Sequence, residues 1–208
     1  MTHPELTMRP LIVFDLGNVL VDVDFSRFCH RLARHSGRSH DEVRAMFCQG
    51  ELKARLDRGM IGPQEFAREL LRWHGPPHPT AHEVLDAWCD IFTRRPETHE
   101  MLERLRARGH ELWLLSDTDP VHFARVLNDF PDVHGLDRYL LSYARGMLKR
   151  DPGAFDVLVA QERLGRQVVF VDDLHENVEA ARDHGIDAIL ARDWRSVEVA
   201  LHARGLLA

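Results

Sequence analysis

Cysteine is scarce in this chain: Cys29, Cys48 and Cys89 make an odd count with no CxxC pair. Free, mostly buried thiols in a reducing cytosol follow from that, and a disulfide framework is excluded. An excess of basic charge is also missing, since the formal net charge is −6. Arginine clusters occur at Arg94-Arg95 and between Arg104 and Arg108, but acids are interleaved with them. They read as solvated helix faces rather than a nucleic-acid footprint. No apolar run approaches the length of a membrane span, and MTHPELTMRP has no apolar signal core. A cytoplasmic protein with no nucleic-acid or membrane partner is expected. Repeats and low-complexity tracts are absent, and the sequence is silent on oligomeric state.

What is present is an ordinary globular composition, 44% hydrophobic and 29% charged over 208 residues. A chain of this length buries about 70% of its unfolded surface and needs no staple to fold. Leu11 to Phe14 is a short apolar run ending in Asp15. Glu111 to Ser116 and Gln167 to Asp172 repeat that pattern, with weaker strands expected at Arg138 to Leu141 and Asp187 to Leu190. Apolar runs without polar alternation predict strands buried on both faces, as in parallel sheets. Helix-period segments at Pro96 to Arg108, Ala154 to Leu164 and His175 to His184 each stop at a glycine. Strands and helices alternating from Pro96 onward predict a right-handed, doubly wound α/β sheet. Residues 24–93 read instead as helix after helix, punctuated by Gly59, Gly62-Pro63 and Gly75-Pro76-Pro77. They predict an all-helical insertion after the first strand.

Three apolar strands end in Asp15, Ser116 and the pair Asp172-Asp173. The carboxyl ends of parallel strands line the ligand crevice, so these groups are expected to converge. One strand-end Asp is usually a turn former; three suitable strand ends are harder to dismiss. Paired carboxylates suit Mg²⁺, which takes a few acids, waters and phosphate oxygens. Without a cation, an anionic nucleophile 4 Å from a phosphate charge meets about 4 kcal/mol of repulsion at an effective dielectric of 20. Ser116 offers a phosphate a hydrogen bond, and Lys149, after the flexible Gly146, offers a charge.

These residues form an ordered set. Phe14-Asp15-Leu16-Gly17-Asn18-Val19-Leu20-Val21-Asp22 resembles the first motif of the haloacid dehalogenase (HAD) superfamily. Leu114 to Thr118 resembles the second, Lys149-Arg150-Asp151-Pro152 the third, and Val169 to Asp173 followed by Asn177 the fourth. The FDLGNVLVD form is similar to bacterial glucose-1-phosphate phosphatases and to the N-terminal phosphatase domain of soluble epoxide hydrolase. The resemblance implies a Rossmann-like core over residues 1–23 and 94–208, with a helical cap over 24–93. It implies a phosphatase of small phosphorylated metabolites, with Asp15 as nucleophile forming an aspartyl-phosphate. Asp15, Asp173, the Gly17 carbonyl and Asp172 (directly or through water) would bind Mg²⁺. Ser116, the Asp117 amide and Lys149 would hold the phosphate, and Asn177 would order the last motif.

Three positions depart from the family pattern. Gly17 stands where most family phosphatases carry the Asp that protonates the leaving alcohol. That loss is smallest for anomeric or acyl phosphates, which are therefore the expected preference. Asp117 replaces the common Asn, and Arg150 the usual Pro; a compensating Asp117–Arg150 charge pair is expected. Elsewhere, His78 and His82 straddle a turn without a third ligand, and His175 reads as surface. Asp22 and Asp24 read as turn formers, and Trp73 and Trp88 as core. Two other functions stay open. Dehalogenation through the same Asp needs no Mg²⁺, which Asp172-Asp173 argues against. A non-catalytic binder of phosphorylated metabolites draws support from Gly17 and Asp117, and is opposed by Asp15, Lys149 and Asp173.

Overall fold

The structure, a computed structural model, describes residues 8–76 and 79–207. His78 of the His78–His82 pair lies outside the described residues. Strand β1 (Leu11–Phe14) is followed by the short β2 (Val21–Val23) and then by helices α1 (Phe25–Ser36) and α2 (His40–Val43). A π-helical turn at Arg44–Cys48 leads to α3 (Glu51–Asp57), α4 (Pro63–Trp73), α5 (Ala81–Cys89) and β3 (Phe92–Arg94). The chain continues through α6 (Pro96–Ala107), β4 (Glu111–Ser116), α7 (Pro120–Asp129), a 3₁₀ turn (Pro131–Gly135) and β5 (Arg138–Leu141). It ends with α8 (Ser142–Arg145), α9 (Asp156–Arg163), β6 (Val168–Asp172), α10 (His175–Asp183), β7 (Asp187–Leu190) and α11 (Trp194–Ala203). No described helix is long and apolar enough to cross a membrane.

Five parallel strands lie in the order β5-β4-β1-β6-β7. Alternate residues of each central strand serve opposite faces. Ile12, Phe14, Leu112, Leu114, Val169 and Val171 pack with Leu102, Leu105, Phe123, Val126, Trp194 and Leu201. Leu11, Val13, Trp113, Leu115, Val168 and Phe170 pack with Phe155, Leu158, Val178 and Ala181 on the other face. Helices on both faces explain why these strands lack polar alternation. The fold is therefore the doubly wound α/β sheet expected, and all five of its strands are legible in the sequence.

The register sets the site. Phe14 pairs with Leu114 on one side and Val171 on the other. Asp15 consequently emerges level with Asp172 and one residue short of Ser116. Because β4 and β6 flank β1, the chain changes direction there, at the usual place for a ligand crevice.

The helices between β2 and β3 enclose their own core of Phe28, Leu32, Phe47, Phe66, Leu70 and Trp88. Phe28 meets Trp88 edge-on at 4.9 Å between centroids. Asp24, Ser39 and Thr80 cap α1, α2 and α5 through side-chain oxygens. The antiparallel β2–β3 pair forms the stem of this segment, so the insertion is not wholly helical as the residue pattern predicts: its last helix stops at Cys89 and β3 begins at Phe92.

Two contacts seat the segment on the sheet. Arg58 makes a bidentate ion pair with Asp151 at 2.7 and 2.9 Å. Gly59, at φ 66°, comes so close to the Tyr143 carbonyl that any Cβ would collide with it. Deeper in, Asp119 is fully buried at the start of α7 and accepts from the Trp88 indole at 3.1 Å. It also accepts from the Val121 and His122 amides, and faces His122 Nδ1 at 2.9 Å. Burial pushes its carboxyl up, but the His122 charge and hydrogen bonds outweigh burial and hold it well below the usual range. Because its folded value lies below the unfolded one, the stability it adds is full above about pH 4 and is lost as pH falls further. Asp119→Ala should cost about 3–5 kcal/mol at pH 7 in urea denaturation, with the gap to wild type narrowing below about pH 4.

Candidate active site

Residues from four elements meet at the carboxyl edge of the sheet. Lys149, on the loop after α8, buries its ammonium between two acids: it donates to Asp15 Oδ1 and, at 2.6 Å, to Asp172 Oδ2. Carboxylate oxygens of Asp15, Asp172 and Asp173 lie within 4.8 Å of one another. Asn177 on α10 donates to both oxygens of Asp172 at 3.1 Å, and the Leu174 amide donates to Oδ1 at 2.8 Å. Asn18 takes the left-handed conformation (φ 54°) just after Gly17. Its amide donates to Asp173 Oδ2 at 3.1 Å while its Oδ1 accepts from the Val23 amide at 3.1 Å.

Three carboxylates and one ammonium leave excess negative charge in a buried place. Burial pushes the Asp15 carboxyl up, Lys149 pulls it back, and Asp172 and Asp173 push it up again, to about 7. Burial works against the Lys149 ammonium, but Asp15 and Asp172 outweigh it and hold that group above its usual range. Burial and then the Asp172 charge likewise raise Asp173, despite the opposing hydrogen bond from Asn18. A cluster of hard oxygens short of positive charge fits a divalent cation such as Mg²⁺.

Above the cluster lies a cavity of about 250 Å³ lined by Asp15, Gly17, Asn18, Ser116, Asp117, Thr118 and Asp173. Its opposite wall comes from the helical segment and its stem, through Val23, Phe25, Lys53, Asp57, Ile91 and Phe92. A comparable cavity of about 240 Å³ sits within the helical segment, between Phe28, Leu70, His74 and Val84. None of the clustered acids borders it, so the chemistry belongs to the first.

A family model for haloacid dehalogenase-like hydrolases matches residues 10–185. The chain belongs to that family. It is 25% identical over 200 residues to the D-ribitol-5-phosphate phosphatase of Bacteroides thetaiotaomicron, a match covering 88% of this chain and 94% of that one. A HAD family enzyme from Bacteroides thetaiotaomicron, solved with magnesium and inorganic phosphate, superposes with a TM-score of 0.75 at 22% identity. That match covers 91% of this chain and 99% of that one. The L-2-haloacid dehalogenase of Xanthobacter autotrophicus shares the fold at a TM-score of 0.61 and 17% identity, over 97% and 85% of the two chains. This HAD chain is therefore a hydrolase, and its fold alone does not separate phosphate from halide chemistry.

Asp15, Gly17, Ser116, Asp117, Lys149, Asp172 and Asp173 all reach one site in the structure. Asp117 is not paired with Arg150, contrary to expectation. Its carboxylate accepts from the Lys149 amide at 2.9 and 3.2 Å, while Arg150 is exposed. The Asp117 side chain thus orients the backbone that carries Lys149, a task Asn would also perform. Asp24 caps α1, as a turn residue should, whereas Asp22 lies within β2 rather than a turn and pairs with Arg95. His175 is exposed.

Sequence reasoning missed Asn18, Lys53, Asp57 and His122. For Asn18 a signal existed, since Gly-Asn after a strand favours a left-handed turn. The other three are brought to the cavity by packing between helices and sheet, and no local pattern reports that. Lys149→Met should strand two buried carboxylates and cost about 3–5 kcal/mol in urea unfolding with chelator present. A change below about 1 kcal/mol would mean that the ammonium is not their counter-charge.

Proposed function

We propose that this HAD hydrolase is a Mg²⁺-dependent phosphatase of small phosphorylated metabolites, with Asp15 as the nucleophile. The observation that carries this reading is the buried Asp15–Lys149–Asp172 cluster, with Asp173 alongside, at the floor of a small cavity. Residues 24–93 act as a cap over a core made of 1–23 and 94–208, because they contribute a wall to that cavity while packing around a core of their own. Similarity to a D-ribitol-5-phosphate phosphatase supports a phosphomonoester of a short hydroxylated chain. The glucose 1-phosphate suggested by the first motif differs in its leaving group, an anomeric rather than a primary alkyl oxygen.

Asp15, Asp172 and Asp173, with the Gly17 carbonyl, would hold Mg²⁺, which when bound supplies positive charge against phosphoryl oxygens. Asp15 attacks phosphorus as a carboxylate: a new O–P bond forms on it, and the ester O–P bond breaks with its electron pair on the leaving oxygen, which takes a proton from water. Lys149 neutralises the nucleophile's remaining charge and the phosphoryl oxygens through the same ammonium. Ser116 and the Asp117 amide donate to those oxygens. Water then cleaves the aspartyl-phosphate and regenerates Asp15. Asn18 and Asn177 hold Asp173 and Asp172 in place throughout, which keeps the site preorganised. Halide displacement at carbon would use Asp15 but gains nothing from three clustered carboxylates.

Asp15→Asn should lower phosphatase turnover of D-ribitol 5-phosphate by roughly 10⁴-fold or more, and chelation of Mg²⁺ should abolish it. Activity on 2-chloropropionate without Mg²⁺, and none on phosphate esters with it, would overturn the reading in favour of dehalogenation. Gly17 offers no proton to a leaving alkoxide, and a Cβ there would press on Val23 Cγ2 at 3.2 Å. Acetyl phosphate or glucose 1-phosphate should therefore show a higher kcat than glycerol 3-phosphate, by up to about 10²-fold. Equal values would place the leaving-group proton on another residue.

A further inference from the structure

Lys53 and Lys149 are the chain's only two lysines among 27 basic residues, and both reach the site around Asp15. Lys149 belongs to the floor. Lys53 comes from α3 on the opposite wall, where its ammonium donates to both carboxylate oxygens of Asp57, four residues on. The pair is about nine-tenths buried, with side chains 12% and 9% exposed, and the Trp88 ring lies 5.8 Å from the lysine nitrogen. Burial works against this ammonium, yet Asp57 and Asp119 outweigh burial and keep its pKa above the usual value.

The two groups therefore form a neutral unit that offers N–H donors and carboxylate acceptors side by side. A hydroxyl can use both. A second anion on the substrate meets a different field: the Lys53 charge is already matched by Asp57, and Asp117 also lines the cavity. Arg150 lines an adjoining cavity that shares Lys53, Asp57 and Asp117 with this one but not Asp15; it is exposed, so water screens its charge. The remaining wall is apolar at Val23, Phe25, Ile91 and Phe92, and its His122 ring is engaged by Asp119 and the Trp88 carbonyl.

Resting on the phosphatase reading above, we propose that the Lys53–Asp57 pair selects the part of the substrate beyond the phosphate. It accepts neutral, hydroxyl-bearing chains (polyol or sugar phosphates) and rejects chains carrying a carboxylate or a second phosphate.

Matched substrates with the same primary leaving group test this: glycerol 3-phosphate against 3-phosphoglycerate, and D-ribitol 5-phosphate against 6-phosphogluconate. The wild-type enzyme should favour the neutral member of each pair by about tenfold or more in kcat/KM. Asp57→Asn keeps the side chain's shape but uncovers the Lys53 charge, so relative kcat/KM for the carboxylated member should rise by about tenfold. Lys53→Met should lower the ratio of ribitol phosphate to acetyl phosphate turnover, mainly through KM, and Lys53→Arg should restore part of it. Acetyl phosphate turnover with no discrimination in the wild type would overturn this inference and leave the phosphatase reading intact. Equal losses on both members of each pair in Asp57→Asn would overturn it in the same way. Absence of turnover on every phosphate ester with Mg²⁺ would overturn both.

Discussion

A buried ammonium shared by two carboxylates organises this molecule. Lys149 cannot be satisfied unless Asp15 and Asp172, which leave adjacent strands, point to the same spot. That condition requires β1 and β6 to be in register, and the register is itself set by apolar side chains packing on both faces of the sheet. The cluster is unfavourable on its own. One ammonium against three acids opposes ionisation of Asp15, whose carboxyl is raised to about 7. Folding supplies the backbone and amide donors that make the arrangement tolerable, and the unmet charge is what suits the site to a divalent cation.

Around that centre, polar side chains act mostly on one another. Asn18 fixes Asp173 to the turn after β1, Asn177 fixes Asp172 to α10, and Asp117 fixes the peptide bearing Lys149. Each is a short polar residue whose hydrogen bonds remove freedom from a group of opposite role. An Asn at position 117 would offer the Lys149 amide the same kind of acceptor. The Asp117 carboxyl is itself raised by burial, with Lys149 opposing the rise.

The helical segment is joined to the sheet by a second buried charge system. Asp119 starts a core helix, yet two of its partners, Trp88 and His122, face the helical core. The same interface delivers Lys53 and Asp57 to the wall opposite Asp15. Stability of this junction and the chemistry of the cavity wall therefore depend on neighbouring groups, and substitutions at one will be felt at the other.

Much of this was legible residue by residue. Apolar runs without alternation reported strands buried on two faces, glycines reported helix ends, and acids at strand ends reported a crevice. The resemblance to the HAD motifs then tied Lys149, which lies on a loop rather than a strand end, to Asp15 and Asp173. The sequence by itself thus determined the five-stranded sheet, several of its helices and which acids gather at its carboxyl edge. Tertiary structure alone decided which acid Lys149 also holds, that Asp117 serves the backbone rather than Arg150, and that Lys53 and Asp57 face the nucleophile across a cavity. Those outcomes depend on how two separately packed cores meet, and contacts between surfaces far apart in the chain leave no periodic trace in it.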